Sequence, residues 1–428
     1  MHSQQILQQT EKQYNIDQEF KPIFGDPKTQ KDFVKQIKIY KDVDLLLSFS
    51  ENFQLNIFDL SNNELNLSLE TKMGNPIYDI ELFQNKHFSN NLLLSIKDQP
   101  LSLYNINETE NNCFELKLRG QISDIKPMSE FYWAPLEMKQ INNQILAAGR
   151  GFLRQYDINT LKPTQFIKCT KKDAYCSLDV QQNAQNPLVC VGKFNNITEI
   201  YDKNNLNQIA KLETHVGGVT SVKFNEQDLN QLFTGARKDN LIYQWDIRKL
   251  SNFVQYFERP SNTNQRQNFD ILDNYLVAGQ ADGSIAFFDI NNKSKKVVQN
   301  NCHDDLINHV LFYQSKTKQN QTYLISSSGQ RRFQLLQNSI TQKQQLQKQK
   351  AKNEYENQTK IEIETEKNQI QQNEEIEKES SSDWSSDEVS ESDEEQNGLF
   401  SISQNRQNSI KMWNFNYNSQ NLEHQQQL

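Results

Sequence analysis

The sequence predicts an all-β fold, a seven-bladed β-propeller in which one acidic insertion interrupts the last blade. Seven segments end in an aromatic residue followed by Asp or Asn, and these aromatics are Phe58, Tyr104, Tyr156, Tyr201, Trp245, Phe288 and Trp413. The first six follow one another at about 43 to 52 residues, the length of a four-stranded blade. The last step fits once an insertion of about sixty residues is removed. An eight-stranded sandwich and an α-rich repeat compete with this fold, and neither accounts for the spacing.

The stretch from Thr214 to Leu250 is the clearest single blade. His215 precedes its first strand, Thr234 lies in the second, Asp239 lies in a tight turn, and Trp245 ends the third. A buried Trp N–H and a buried imidazole each need a partner, which a hydroxyl and a carboxylate supply. The set resembles the His–Ser/Thr–Asp–Trp relay of WD-repeat blades and predicts that the fold is a WD-repeat propeller.

The chain divides into five predicted parts. Residues 1–30 form a flexible N-terminal lead-in, or alternatively a strand that completes the last blade. Residues 31–337 hold blades one to seven, except for one strand of blade seven. Residues 338–397 form a disordered insertion, 398–416 supply the last propeller strand, and 417–428 are a tail. The last strand of the chain is expected to close the ring.

Alternating or continuous apolar runs mark the strands of each blade in order. Blades one to four are read from "FVKQIKIY" with "DLLLSFSENFQLNIFDL", "NPIYDIELF" with "NLLLSIKDQPLSLYNI", "QISDIKPM" with "QILAAGRGFLRQYDI", and "AYCSLDV" with "PLVCVGKFNNITEIYDK". In blade five, residues 219–224 alternate as a half-buried strand does. Blade six has a polar "SNTNQRQ" where its first strand is expected, and blade seven runs from "INHVLFYQ" to "SIKMWNF" across the insertion.

The insertion carries the acidity of the chain. From Asn338 to Asn397 it has 16 acidic residues and 7 lysines against a net charge of −8 for the whole chain, so the remainder is close to neutral. Four serines of the insertion each have an acidic residue three positions later and are candidate phosphorylation sites: Ser380, Ser385, Ser390 and Ser392. Each phosphate adds nearly −2. A solubilising loop and a regulated docking segment both remain open.

Catalytic and metal-binding patterns are not found. The five cysteines form no CxxC pair, and no apolar run approaches 18 residues, so we expect a soluble intracellular protein in a reducing compartment. No phosphate loop, HExxH or nucleophile elbow occurs. His303 lies before blade seven as His215 lies before blade five. We expect no enzyme, no cofactor, no metal and no membrane association.

Basic and amide residues are concentrated in the turns of blades five to seven. The candidates for RNA binding are Arg237, Lys238, Arg248, Gln265, Arg266, Gln330, Arg331 and Arg332. Arg and Lys contact phosphates, and the planar groups of Arg, Gln and Asn contact unstacked bases. A solvated rim is the other interpretation of the same residues.

Three strings resemble the WD-repeat telomerase Cajal body protein family, from about Asp32 to Phe415. They are "HVGGVTSVKF…LFTGARKDNLIYQWDIRKL", "NTNQRQNFDI" and "LISSSGQRRFQ". The resemblance implies a non-catalytic protein that binds the CAB box of small Cajal-body RNAs or telomerase RNA and assists assembly of the RNP. It also implies a nuclear protein, with Cajal-body-like foci, that acts as a monomer within an RNP containing telomerase reverse transcriptase. The family strings contain Arg237, Lys238, Gln265, Arg266, Gln330 and Arg331, as RNA-facing or rim-stabilising residues.

A protein-only scaffold is the alternative function. Any WD-repeat propeller can dock protein partners, and the acidic serine segment offers a docking site. Ribosome or small nuclear RNP assembly, or an adaptor in a ubiquitin ligase, would suit such a scaffold.

Overall fold

A computed structural model describes residues 16–20, 33–40, 43–85, 88–109, 114–122, 124–126, 130–168, 174–182, 184–292, 296–315, 321–330 and 409–415. In these ranges the chain forms strands and turns and no helix, so the predicted all-β class is confirmed. None of the described residues forms a helix long and apolar enough to cross a bilayer. The insertion, with Ser380, Ser385, Ser390 and Ser392, lies outside the described residues, as do Arg331 and Arg332.

The strands form seven antiparallel four-stranded sheets arranged in a ring, a seven-bladed β-propeller as predicted. Blades 1 to 3 comprise β2–β5 (Val34–Tyr40, Leu45–Ser50, Gln54–Asp59, Asn66–Lys72), β6–β9 (Ile77–Asn85, Phe88–Ile96, Leu101–Glu108, Phe114–Ile122) and β10–β13 (Pro135–Ile141, Gln144–Gly149, Phe152–Asp157, Pro163–Lys168). Blades 4 to 6 comprise β14–β17 (Tyr175–Val180, Leu188–Lys193, Ile197–Asp202, Gln208–Glu213), β18–β21 (Val219–Phe224, Gln231–Ala236, Leu241–Asp246, Gln255–Glu258) and β22–β25 (Phe269–Leu272, Tyr275–Gly279, Ile285–Asp289, Lys296–Gln299).

Blade 7 is built from both ends of the chain. It contains β26 (Ile307–Gln314), β27 (Thr322–Ser328), β28 (Ile410–Phe415) and, as its outermost strand, β1 (Ile16–Phe20). β1 pairs with β28 in antiparallel register. Of the two alternatives for residues 1–30, a flexible lead-in or a strand that completes the last blade, the structure shows the strand. The last strand of the chain is third in its sheet, and the N-terminal strand completes the ring.

The core lies between neighbouring blades. One apolar cluster joins blades 1 and 2 through residues such as Leu47, Ile57, Ile80 and Leu94, all fully buried. Both faces of an inner strand are covered by adjacent blades. For this reason Val219–Phe224 is buried at five of its six positions, and the half-buried alternation predicted for it is wrong.

The connections fall on two faces of the ring. Because the four strands of a blade alternate in direction, the turn between its second and third strands lies on the same side as the connections between blades. We call this side the upper face; in blade 5 it holds the turn between β19 and β20. The lower face carries the other two turns of each blade, including the one between β20 and β21.

Two connections on the upper face are unusual. The segment before blade 6 is extended by the polar stretch seen in the sequence, and the first strand of that blade is only four residues long. Between β9 and β10, residues 124–126 pair with residues 131–133: Ile125 and Tyr132 make a β-bridge, and the Lys126 amide donates to the Phe131 carbonyl at 2.9 Å. We call these two paired segments the hairpin; residues 127–129 between them are outside the described residues. The sequence did not predict this hairpin.

Candidate functional site

The relay of blade 5 connects its four side chains in the predicted order. His215 Nδ1 lies 2.7 Å from Asp239 Oδ2, and His215 Nε2 lies 2.8 Å from Thr234 Oγ1. Trp245 Nε1 donates to the same hydroxyl at 3.0 Å. Burial alone would raise the pKa of Asp239, but its hydrogen bonds, above all with His215, lower the pKa and keep the carboxylate ionised. All four residues are buried, so they position the turn and are not available to a ligand.

Blade 7 contains a second relay without a carboxylate. His303 Nε2 lies 2.7 Å from Ser326 Oγ, which also accepts from Trp413 Nε1 at 2.9 Å. The hydroxyl of Ser409 lies 3.0 Å from His303 Nδ1, where blade 5 has an aspartate. Burial, reinforced by Lys411, lowers the pKa of His303 to about 3. His303 is therefore neutral and structural, as its position in the sequence indicated.

Arg237 lies on the upper face and stacks against an aromatic ring. Its guanidinium carbon is 4.9 Å from the centre of Phe194, which belongs to the equivalent turn of blade 4. A Cβ on Gly217 would stand 1.9 Å from the Arg237 carbonyl oxygen, and one on Gly218 would stand 3.1 Å from Arg237 Nε. The two glycines of the "HVGG" string thus make room for the arginine turn. This packing explains why the two strings occur together.

Lys238 and Val216 flank this pair and face solvent. Lys238 is exposed, with a φ of 52°, and its amide donates to the Thr263 carbonyl at 2.9 Å. Val216 is 82% exposed. Asp239, the acid of the same turn, points inward to His215, so the side chains that the turn presents to solvent are positively charged. The sequence identified the two basic residues but missed Phe194 and Val216, because no local pattern brings turns of different blades together.

Three other sequence candidates have different surroundings. Arg248 lies on the lower face, where Nη2 and Nε bond the carboxylate of Asp246 at 2.7 and 2.9 Å. It is therefore not part of the upper-face group. Gln330 is on the upper face, and its side-chain amide donates to Asp305 Oδ1 at 2.9 Å. Gln265 is half-buried, and its side-chain nitrogen is inaccessible to solvent.

Arg266 points into the central channel, where its contacts are those of a stabilising residue, one of the two roles expected of it. Its guanidinium pairs with Glu137 of blade 3 and approaches Gln36 of blade 1 at 3.4 Å, while Nε donates to Asn268 at 2.9 Å. Burial opposes ionisation of Glu137, but Arg266 and then Lys38 outweigh it and lower the pKa of Glu137. Arg266 therefore joins blades across the ring. The sequence could not show this, because these partners are far apart along the chain.

Below Arg266 the channel is a cavity of about 620 Å³ lined by charged side chains of the first strands. Around six blades these charges alternate in sign: Lys38, Glu81, Lys139, Asp179, Lys223 and Asp270. Each lysine pairs with the acid of the next blade, for example at 3.2 Å between Lys38 and Glu81 and at 3.3 Å between Lys139 and Asp179. These ion pairs join neighbouring blades around the channel. Among the described residues no group of three His, Cys, Asp or Glu is arranged to hold a metal ion.

The upper-face turns are joined to one another by backbone and side-chain contacts. Arg150 forms a β-bridge with Ala174, whose carbonyl accepts the Phe194 amide at 3.1 Å. The Arg237 amide in turn donates to the Gly218 carbonyl at 3.0 Å. The β-bridge joins the turn of blade 3 to the start of blade 4, and the stack of Arg237 on Phe194 joins the turn of blade 4 to that of blade 5.

The chain is similar to telomerase Cajal body protein 1. It is 30% identical to the protein of Bos taurus over 154 residues, 34% of this chain and 27% of that protein. It is 32% identical to the Homo sapiens protein over 105 residues, 24% of this chain and 19% of that protein. A homolog in Drosophila melanogaster is 26% identical over 187 residues, 42% of this chain and 34% of that protein. The resemblance predicted from the sequence is confirmed.

The chain thus spans between 19% and 34% of the length of these relatives. No protein-family model matches it. Together, the seven blades and the similarity show a WD-repeat propeller.

Proposed function

We propose that this chain is a non-catalytic RNA-binding propeller whose upper face holds a single-stranded element of a small nuclear, small Cajal-body or telomerase RNA. The proposal rests above all on the stacked pair of Arg237 and Phe194 beside the exposed Lys238. Phosphates favour the two cations, and unstacked bases favour the planar surfaces.

The geometry of the turn supports this reading. Stacking on Phe194 holds the Arg237 guanidinium in place, which reduces the entropy lost when it contacts a ligand. The carboxylate of Asp239 is hydrogen-bonded to His215 within the relay, so it does not neutralise the two cations. A stacked base contributes about 1–3 kcal/mol to binding of single-stranded nucleic acid.

The names of the relatives supply the class of RNP. They are called telomerase Cajal body proteins. Carried to this chain, the name supports assembly of telomerase or a Cajal-body-type RNP and a nuclear location. We further propose telomerase reverse transcriptase as a partner, which the sequence resemblance implies. In this proposal the chain works as a monomer within the RNP.

Crosslinking in cells tests the proposal. The tagged chain is crosslinked by ultraviolet light and immunopurified, and the bound RNA is sequenced. We expect enrichment of small nuclear, small Cajal-body or telomerase RNA, with crosslinks confined to one unpaired element. Background ribosomal RNA alone, together with a fixed protein set that resists ribonuclease, would instead identify a protein-only scaffold.

A further inference from the structure

We infer that the hairpin before β10, together with Arg150, forms a second contact for the same single-stranded RNA, in which a base stacks on Phe131 and phosphates lie between Lys126 and Arg150. This inference extends the proposed function along the upper face to blade 3. This hairpin lies outside the three family strings.

Two apolar side chains of the hairpin are exposed to solvent close to Lys126. Phe131 is 60% exposed and Ile125 is 48% exposed. Lys126 and Phe131 are hydrogen-bonded neighbours across the hairpin, and Trp133 follows two residues later, so the three side chains lie on one side of it. Lys126 Nζ is 5.2 Å from the centre of the Trp133 ring. Aromatic surfaces interleaved with cations are typical of single-stranded nucleic-acid sites.

The hairpin is fixed to blade 3 from below. Asp124, at its start, pairs with Arg154 and accepts the Tyr156 hydroxyl at 3.0 Å. The Arg154 guanidinium lies 5.4 Å from the centre of the Trp133 ring and 4.4 Å from that of Phe166, so it packs between two aromatics. These contacts hold the ends of the two paired segments against blade 3, which reduces the ordering cost of binding.

The charge of the hairpin favours an anionic partner. Within the part of the chain that the structure describes, neither Lys126 nor Arg150 has a carboxylate at ion-pair distance. Burial, and then the positive charge of Arg150, lowers the pKa of Lys126, and Asp98 only partly offsets this. Two neighbouring cations of this kind repel each other, and a phosphate placed between them removes the repulsion.

A series of contacts along the upper face connects Arg150 to the first site. Arg150 is bridged to Ala174, which bonds Phe194, and Phe194 stacks with Arg237. One strand of RNA that follows this series of contacts meets Lys126, Arg150, Phe194 and Arg237 in that order. A continuous chain of phosphates matches such a track better than a compact acidic protein surface does.

Variants of the full chain test the inference. Phe131→Ala and the double variant Lys126→Gln/Arg150→Gln are compared with wild type for the amount of crosslinked RNA recovered from cells. Loss of a stacked base should reduce recovery by about fivefold or more. Phe131→Tyr should restore it, and Ile209→Ala, an exposed apolar residue of the outer strand β17, should leave it unchanged. Thermal unfolding establishes that each variant is folded.

Three results would overturn the inference, and each has a different consequence for the proposed function. Full RNA recovery by both hairpin variants, with loss on charge reversal at Arg237 and Lys238, refutes the second contact and leaves the proposed function intact. Loss of a ribonuclease-resistant protein partner in place of RNA identifies a protein-docking hairpin. Absence of specific RNA from wild type refutes both proposals. Mapping of RNA-crosslinked peptides to residues 124–133 would support the inference independently.

Discussion

At the scale of single residues, Thr234 satisfies two buried groups with one hydroxyl. An ionised Asp239 accepts a hydrogen from His215 Nδ1, which leaves Nε2 to accept one from Thr234. The hydroxyl oxygen can then accept the indole N–H of Trp245. The relay therefore fixes the tautomer of the histidine and the position of the turn that carries Arg237 and Lys238.

Thr234→Val should destabilise the fold by about 1–3 kcal/mol, because both the imidazole and the indole lose a buried partner. Chemical denaturation of the purified chain measures the loss in free energy of unfolding. Thr164→Val is a suitable control, because that hydroxyl is on an exposed residue of the outer strand β13. Equal stabilities of the two variants would contradict the structural role of the relay.

The second relay makes stability depend on pH. The pKa of His303 is lowered to about 3 from an ordinary 6.5, chiefly by burial. Between pH 3 and pH 6.5, His303 binds a proton in the unfolded chain but not in the folded chain. The stability that neutral His303 contributes is therefore present above pH 6.5 and is lost as pH falls. We expect a loss of about 2 kcal/mol from this residue at pH 5.

The measurement compares wild type with His303→Gln at pH 7 and pH 5 by denaturant unfolding. The difference between the two pH values should be smaller in His303→Gln, which cannot take up the proton. Trp245→Phe, which weakens the other relay without removing a titratable group, should keep the pH dependence of wild type. The same pH dependence in His303→Gln would show that this histidine is already charged when folded.

At the scale of elements, β1 shows how the ends of the chain meet. Its backbone supplies the fourth strand of blade 7, beside β28. Without β1 the edge of β28 would present unpaired N–H and C=O groups, which invite association with other strands. The N-terminal segment is thus part of the propeller even though it lies far from blade 7 in sequence.

Removal of residues 1–20 should lower the melting temperature and promote self-association through the exposed edge of β28. Thermal unfolding and size-exclusion chromatography of the truncated chain measure both effects. Removal of residues 1–12 leaves β1 intact and provides the control. A truncated chain that remains monomeric and as stable as wild type would show that β1 does not secure the ring.

An element could be predicted from the sequence when its pattern lies within a short stretch of the chain. The aromatic–Asp endings and the relay of blade 5 are local patterns, so the blade number and Trp413 as the last aromatic could be read directly. β1 has no such pattern and remained one of two alternatives. Burial of Val219–Phe224 on both faces depends on neighbouring blades. The hairpin at Ile125 and Tyr132 arises from pairing within a connection that looked irregular in sequence.

At the scale of the whole molecule, the blades are joined through the channel by alternating charges. Asp270 pairs with Lys223 of the preceding blade and accepts the Phe312 amide of the next at 2.7 Å. Asp179 accepts the Phe224 amide at 2.8 Å in the same way. Each acid thus links three successive blades. With seven blades the alternation cannot be complete, and blade 7 places Leu311 at the channel instead.

Asp270→Ala should therefore destabilise the ring by about 1–3 kcal/mol, since Lys223 and the Phe312 amide both lose their acceptor. Denaturant unfolding measures the loss in free energy of unfolding, and Glu108→Ala, at an exposed position of β8, is the control. Adding Lys223→Met to Asp270→Ala should recover part of the loss, because the unpaired cation is removed. Additive losses would contradict the paired arrangement.

The proposed function depends on RNA binding by Arg237 and Lys238 on the upper face of blade 5. Its most direct test is charge reversal, Arg237→Glu with Lys238→Glu, in the full chain expressed in cells. The matched control reverses Arg248 and Lys249, an equal change of charge on the lower face of the same blade. We expect crosslinked RNA recovery to fall at least about tenfold in the first variant, since two phosphate contacts become repulsive, and to persist in the second. Equal recovery from both would contradict this proposal.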